Sequence, residues 1–249
     1  MKRLIIGVAA VCTISLALIF TRQAGAPSSS DNPSKSGPAT SSGFNKQKYP
    51  IDQPGSIWWI VNKVSPLDPA TYAPDDLVTP NMPLRLDGGD SQMRMRKEAS
   101  SALEEMVLGA DKVGIRLELT SGYRSYQLQV SLYNESVQQY GQAGADKQSE
   151  RPGTSEHQTG LAADLEPTTG QCELEVCFAD LPEGKWLAAN AYLYGFIIRY
   201  PEGKAKITGY DHEPWHVRYV GKDLSAEMHK QNIQTMEEFF GVVPDSQPY

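Results

Sequence analysis

Apolar and polar positions change rhythm several times along this 249-residue chain. Residues 4–20 are apolar throughout and carry no charge. From Arg22 to Gly43 the composition turns to Ser, Pro, Gly and Ala, and no apolar period survives. Beyond about Tyr49 the pattern is that of a folded domain. Residues 56–61, Ser-Ile-Trp-Trp-Ile-Val, predict a short strand. The proline-rich residues 66–83 predict extended or turning chain, because proline removes a donor and biases its predecessor away from helix. Met95, Ala99, Ala102/Leu103, Met106, Ala110 and Val113 recur at three- and four-residue spacing, which predicts an amphipathic helix ended by Gly114. Ile115, Leu117 and Leu119 alternate with Arg116 and Glu118 and predict a half-buried strand. Further helices are expected over 128–140, over 186–194 up to Gly195, and from a cap at Asp223 or Ser225 to just before Gly241. Strands are expected over 196–200 and 215–220. Helices and strands mix without a regular βαβ beat. The fold class is therefore α+β, a small and mainly antiparallel sheet packed with helices.

The apolar run at the N-terminus follows Lys2 and Arg3 and precedes Arg22. A buried helix of a soluble domain would show a polar stripe, and this run has none. Its length and flanks predict a membrane anchor or signal sequence over 1–21, with Lys2 and Arg3 kept in the cytoplasm. Ala24-Gly25-Ala26 has the small-x-small pattern of a cleavage site, but Pro27 follows it directly, which favours an uncleaved anchor. A flexible linker over 22–48 and a single domain over 49–249 follow, the domain lying outside the cytoplasm, tethered or, if cleaved, secreted. Thirty acidic against 23 basic residues leave a net charge of −7 with no basic block, which excludes a nucleic-acid partner. A monomer is expected. Hydrophobic residues at 40% and charged residues at 21% exclude a disordered or polytopic membrane protein. Three cysteines cannot build a disulfide scaffold. Cys172 and Cys177, five apart in a Gly/Thr-rich stretch of an exported domain, predict a local disulfide rather than a zinc pair.

All four histidines fall after residue 156. His157 and Asp164 are seven apart across Gly160, and Glu213 and His216 are three apart some fifty residues later. Two histidines and a carboxylate are a zinc-ligand set that leaves a fourth position for water. A carboxylate that is not a ligand is what a metallohydrolase uses as general base.

Longer motifs surround these residues. Val61-Asn62-Lys63, Pro66-Leu67, Tyr72-Ala73-Pro74-Asp75-Asp76-Leu77, Ser121-Gly122-Tyr123-Arg124-Ser125, Ser155-x-His157-x-x-Gly160-x-Ala162-x-Asp164, Trp186-Leu187-Ala188-x-Asn190-Ala191, Tyr194-Gly195-Phe196 and Glu213-Pro214-Trp215-His216 occur along one chain. Together they resemble the VanY-type D-alanyl-D-alanine carboxypeptidases, zinc peptidases of the LAS group, from about Ile57 to Gly241. The resemblance implies one Zn2+ held by His157, Asp164 and His216, with Glu213 as catalytic base. It implies that Arg124 faces the metal across the site and that Ser155 and Gln129 touch the end of the peptide. The implied reaction removes the C-terminal D-alanine from a peptidoglycan stem peptide. Relatives with nearly the same motifs cut the L,D bond of a tetrapeptide stem, and a non-catalytic wall-binding module is the alternative of another class. Trp215 is expected to pack beneath the metal loop, and His212 and His229 to be solvated.

Overall fold

The computed structural model of the protein describes residues 44–248. The apolar run 4–20 and most of the expected linker lie outside the described residues. Among those described, no helix is long and apolar enough to cross a membrane. The packed body reaches back to Phe44, whose ring stacks on Tyr49 and meets Phe239 edge-on.

In chain order the elements are β1 (Leu77–Val78), β2 (Met95–Arg96), α1 (Lys97–Asp111), β3 (Leu117–Ser121), α2 (Tyr126–Gln148), β4 (Ala162–Pro167), α3 (Pro182–Asn190), β5 (Phe196–Tyr200), α4 (Ala205–Thr208), β6 (Glu213–Tyr219), α5 (Lys222–Lys230) and α6 (Met236–Phe240). Strands β1 and β2 form a small antiparallel pair, and the main sheet has the order β3-β4-β6-β5, antiparallel throughout. The α+β reading holds.

Period-2 alternation gives the sheet two different faces. Leu117, Leu119, Ala163, Leu165, Phe196, Val217 and Tyr219 point to one side, where Ala99, Leu103, Met106 and Ala110 of α1 and Leu187 of α3 complete the main core. The other side is also buried but polar: Asp164, Glu166, Arg199, His216 and Arg218 are each at most 2% exposed. Burying polar groups is costly unless each is paired, so such a face signals a specific site. A second apolar cluster, built on Ile60, Ile197, Val220, Leu224, Met228, Met236 and Phe239, seats α5 and α6.

Two expected elements differ. Residues 56–61 are buried around Trp59, Ile60 and Val61 yet form no strand. The carbonyls of Ile57 and Trp59 instead accept from the buried Arg218 guanidinium, at 3.1 and 2.8 Å. The single last helix is two, and the first begins at Lys222 behind Gly221, with the expected caps Asp223 and Ser225 lying inside it. Asn232 takes a left-handed φ of 55° after α5, and Thr235 starts α6 by accepting from the Glu238 N–H at 3.2 Å while its hydroxyl donates to the Glu238 carboxylate.

Candidate metal centre and substrate cavity

His157 lies in a 3-10 turn, Glu156–Thr159, between α2 and β4. The turn ends at Gly160, where φ is +69° and a β-carbon would press on Arg96 and Leu77 at 3.0 Å, so glycine is needed to turn the chain into β4. Asp164 is in the middle of β4, and antiparallel register sets it directly opposite His216 on β6 and Ser121 on β3. Three strands and one turn thus bring distant residues to one point.

His157, Asp164 and His216 are buried and offer one ligand atom each, all within 4.8 Å of one another. His157 Nδ1 donates to the Gly122 carbonyl at 2.6 Å, which leaves Nε2 with a bare lone pair 3.3 Å from Asp164 Oδ2. A β-carbon on Gly122 would come within 2.4 Å of the Arg94 carbonyl, so only glycine brings this carbonyl so close. His216 turns Nδ1 toward Asp164 Oδ1 at 3.4 Å and Glu213 Oε2 at 3.2 Å. Its Nε2 faces Glu156 Oε2 at 3.8 Å. His157 Nε2 and Asp164 Oδ1 have no hydrogen-bond partner among the described residues. Buried polar atoms left bare at one point are what a metal ion would satisfy. The donor set, two imidazoles and a carboxylate, suits zinc.

The charges agree. Burial pushes the Asp164 carboxyl up, but His157, His216 and Arg124 outweigh it and hold it well below the usual carboxylate range. Burial alone would lower His216, yet Glu156, Glu213 and Asp164 prevail and push it up to about 10. Three carboxylates around one imidazole make a field that attracts a cation. Glu213, by contrast, is raised by burial with His216 opposing, the direction expected of a carboxylate that must take up a proton.

Arg124 follows β3 and stays largely covered. Its Nε donates to Ser121 Oγ at 3.1 Å and its Nη2 to Asp164 Oδ2 at 3.0 Å, while Nη1 lies 3.5 Å from Glu150 Oε2. The fork therefore fixes the carboxylate of the cluster while its remaining N–H groups border the cavity. That cavity, about 340 Å3, is lined by Arg124, Glu150, His157, Asp164, Glu213 and His216 together with Leu174, Tyr210 and Trp215, among others. Trp215 both lines it and packs on the main core. Ser155 and Gln129 are completely buried, and neither is among the side chains that line it. Gln129 Nε2 donates to the Glu150 carbonyl at 2.7 Å and so fixes the segment bearing Glu150. His212 sits outside the cluster, its Nδ1 3.1 Å from the Tyr200 carbonyl, and His229 stacks on Tyr192. Cys172 and Cys177 are joined by a disulfide.

Comparison with known proteins places this geometry. The model of the VanY family, described as D-alanyl-D-alanine carboxypeptidase, matches residues 92–222. This chain belongs to the VanY family. YodJ of Bacillus subtilis (strain 168) is 43% identical over 190 residues, 76% of this chain and 69% of that protein. The structure of the LdcB LD-carboxypeptidase superposes with a TM-score of 0.72 at 42% identity, covering 77% of this chain and 88% of that one. A variant of the vancomycin-resistance D,D-pentapeptidase VanY in complex with Zn(II) gives 0.59 at 30%, covering 73% and 97%. The VanY fold is thus a zinc-peptidase fold, and here its polar sheet face presents a cluster of three buried donor residues.

One residue of the site escaped sequence reasoning. Glu156 is fully buried, and its Oε1 accepts from Arg199 Nε at 2.8 Å and Arg218 Nη1 at 2.5 Å. Arg199 also pairs with Glu237 at 2.6 and 2.9 Å, and Asn62 donates to the same carboxylate. The ring of His216 rests against an ion network anchored in the core. A glutamate beside a histidine carries no periodic signal that it will be buried, so the pattern of residues could not reveal it.

Proposed function

We propose that the chain is a zinc-dependent carboxypeptidase that removes the C-terminal D-alanine from a peptidoglycan stem peptide. His157 through Nε2, Asp164, and His216 through Nδ1 hold the zinc, Glu213 is the general base, and Arg124 binds negative charge. Zinc, when bound, polarises the scissile carbonyl and makes water a stronger acid. Glu213 takes the proton of the attacking water and hands it to the departing amine. Its carboxylate is partly exposed on the cavity wall, so it meets both water and substrate. The open N–H groups of Arg124 serve the developing oxyanion or the terminal carboxylate. Ser155 and Gln129, which the resemblance gives to the end of the peptide, are completely buried and line no part of the cavity, so Gln129 acts on the peptide only through the Glu150 segment, whose carbonyl it holds at 2.7 Å. The observation that carries this reading is the convergence of one ligand atom from each of three buried residues within 4.8 Å, two of them without a hydrogen-bond partner, beside a non-ligand carboxylate 3.2 Å from the third.

The domain acts outside the cytoplasm as a monomer, tethered to the membrane through residues 1–21 and a flexible linker. The uniformly apolar run behind Lys2 and Arg3 supports that placement. Likeness to the LdcB LD-carboxypeptidase favours a second reading, cleavage of the L,D bond of tetrapeptide stems. Incubating the zinc-loaded chain with pentapeptide and tetrapeptide stems and weighing the products decides between them. Loss of one D-alanine from the pentapeptide is expected, abolished by a chelator and restored by zinc. Shortening of the tetrapeptide alone would move the assignment to the L,D bond, and failure to shorten either would remove it.

A further inference from the structure

The loop closed by Cys172 and Cys177 reaches the cavity through Leu174. This side chain is 43% exposed, unusually open for a leucine, and it forms part of the cavity wall. Leu174 and Trp215, with the ring of Tyr210, supply the apolar surface of a wall otherwise made of charged and polar groups.

The loop is held from several sides. Its N-terminal cysteine packs against the main core, and Phe178, directly after its C-terminal cysteine, is fully buried there. Cys172 and Leu174 both take left-handed φ values, 57° and 48°. L-residues keep such a conformation only where their surroundings over-determine it. The Leu174 N–H donates to Glu166 Oε1, and Thr120 Oγ1 donates to Glu166 Oε2 at 3.1 Å. Arg85 ties the neighbouring Glu173 to Glu118 and Glu166. Glu166 stands two residues beyond Asp164 on the same face of β4. The strand that carries a zinc ligand therefore also fixes the height of Leu174 over the cavity.

We propose that Leu174 is a specificity-determining residue. Clamped by the disulfide loop and Glu166, it is an apolar stop that accepts the methyl group of a D-alanine flanking the scissile bond and turns away larger side chains. This rests on the proposed carboxypeptidase reading. An apolar wall set by a rigid loop discriminates by size, and one extra methylene-sized group is worth roughly ten- to two-hundredfold in relative rate.

The test compares wild type, Leu174→Ala and the Cys172→Ser/Cys177→Ser double variant, each loaded with zinc. The substrates are stem pentapeptides ending in D-Ala-D-Ala, D-Ala-D-Leu and D-Leu-D-Ala. Wild type is expected to favour D-Ala-D-Ala in kcat/KM over at least one of the enlarged peptides. In Leu174→Ala that preference should narrow by about tenfold or more, with zinc content and thermal unfolding unchanged. The double serine variant should narrow it in the same direction, because Leu174 loses its clamp. A preference unchanged by Leu174→Ala against both enlarged peptides, in a wild type that cleaves D-Ala-D-Ala, would overturn the inference alone. A narrowing in Leu174→Ala that the double variant does not share would overturn the clamp. A wild type that cleaves none of the three would remove the functional reading and this inference with it.

Discussion

Glu156 and His216 meet at 3.8 Å, and that gap links the fold's deepest charges to its chemistry. Glu156 balances Arg199 and Arg218, all three fully buried. Burial pushes the Glu156 carboxyl up, but the two guanidinium groups prevail and hold it well below its usual range, so it stays ionised. Removing one member of a buried ionic network leaves the rest uncompensated, at a cost of about 3–5 kcal/mol. Glu156→Ala should therefore lower unfolding stability by about that amount in urea titrations. Outer-shell partners of a ligating histidine typically contribute about 10–100-fold in metal affinity. The variant's folded fraction should accordingly bind zinc more weakly in competition with a chromophoric chelator. Unchanged stability and unchanged affinity would mean that the network is incidental. The ligands themselves were legible in the sequence, since a His-Asp pair seven apart and a Glu-His pair three apart are local patterns. Glu156 was not, because its partners come from positions 199 and 218, on other strands.

Among the elements, β4 and β6 decide the site, since their register alone sets Asp164 opposite His216. A one-residue slip would turn both side chains to the opposite face of the sheet. The element that frames the cavity is α2, kinked where Gly141 takes a φ of 69°. Near its end Asp146 accepts from Arg151 twice, at 2.7 Å, and from Tyr133 at 2.6 Å. Hydrogen bonding from Arg151, helped by Tyr133 and opposed by burial, lowers the Asp146 pKa from 3.8 to about 2. A depressed carboxyl stabilises the fold above its unfolded pKa and loses that contribution as pH falls through its folded value. With solvent screening around Arg151, the pair contributes about 1 kcal/mol. Asp146→Asn should thus destabilise the metal-free chain by about that much at pH 7, and the difference should fade between pH 4 and pH 2. A difference that persists at pH 2 would contradict the assignment. The amphipathic period found α1 because its stripe faces a continuous core. It could not show that residues 56–61 would give their carbonyls to Arg218 instead of a neighbouring strand. The break between α5 and α6 was partly legible, since Thr235-Met236-Glu237-Glu238 is a capping-box pattern.

At the scale of the whole molecule, one four-stranded sheet separates two kinds of interior. One face is apolar and carries stability, and the other is polar and carries the site. The strand that carries Asp164, β4, was not expected from the sequence: both its faces are buried, a strand buried on both sides normally reads as continuously apolar, and Asp164 and Glu166 break that run. The His-Asp spacing and the motif resemblance gave Asp164 its role without the strand that positions it. What the chain order could not convey was which loops would close over the site, because the disulfide loop and the Glu150 segment are placed by long-range contacts. The central claim is that a zinc held by His157, Asp164 and His216 works with Glu213 as proton carrier. Turnover of a stem peptide by Glu213→Gln tests it most directly, since glutamine keeps the size of the side chain but cannot take the proton. The account predicts about one zinc per chain, a wild-type unfolding curve, and a fall in kcat of at least about 10²–10⁴-fold. A Glu213→Gln chain that holds its zinc and cleaves within a few-fold of wild type would contradict it.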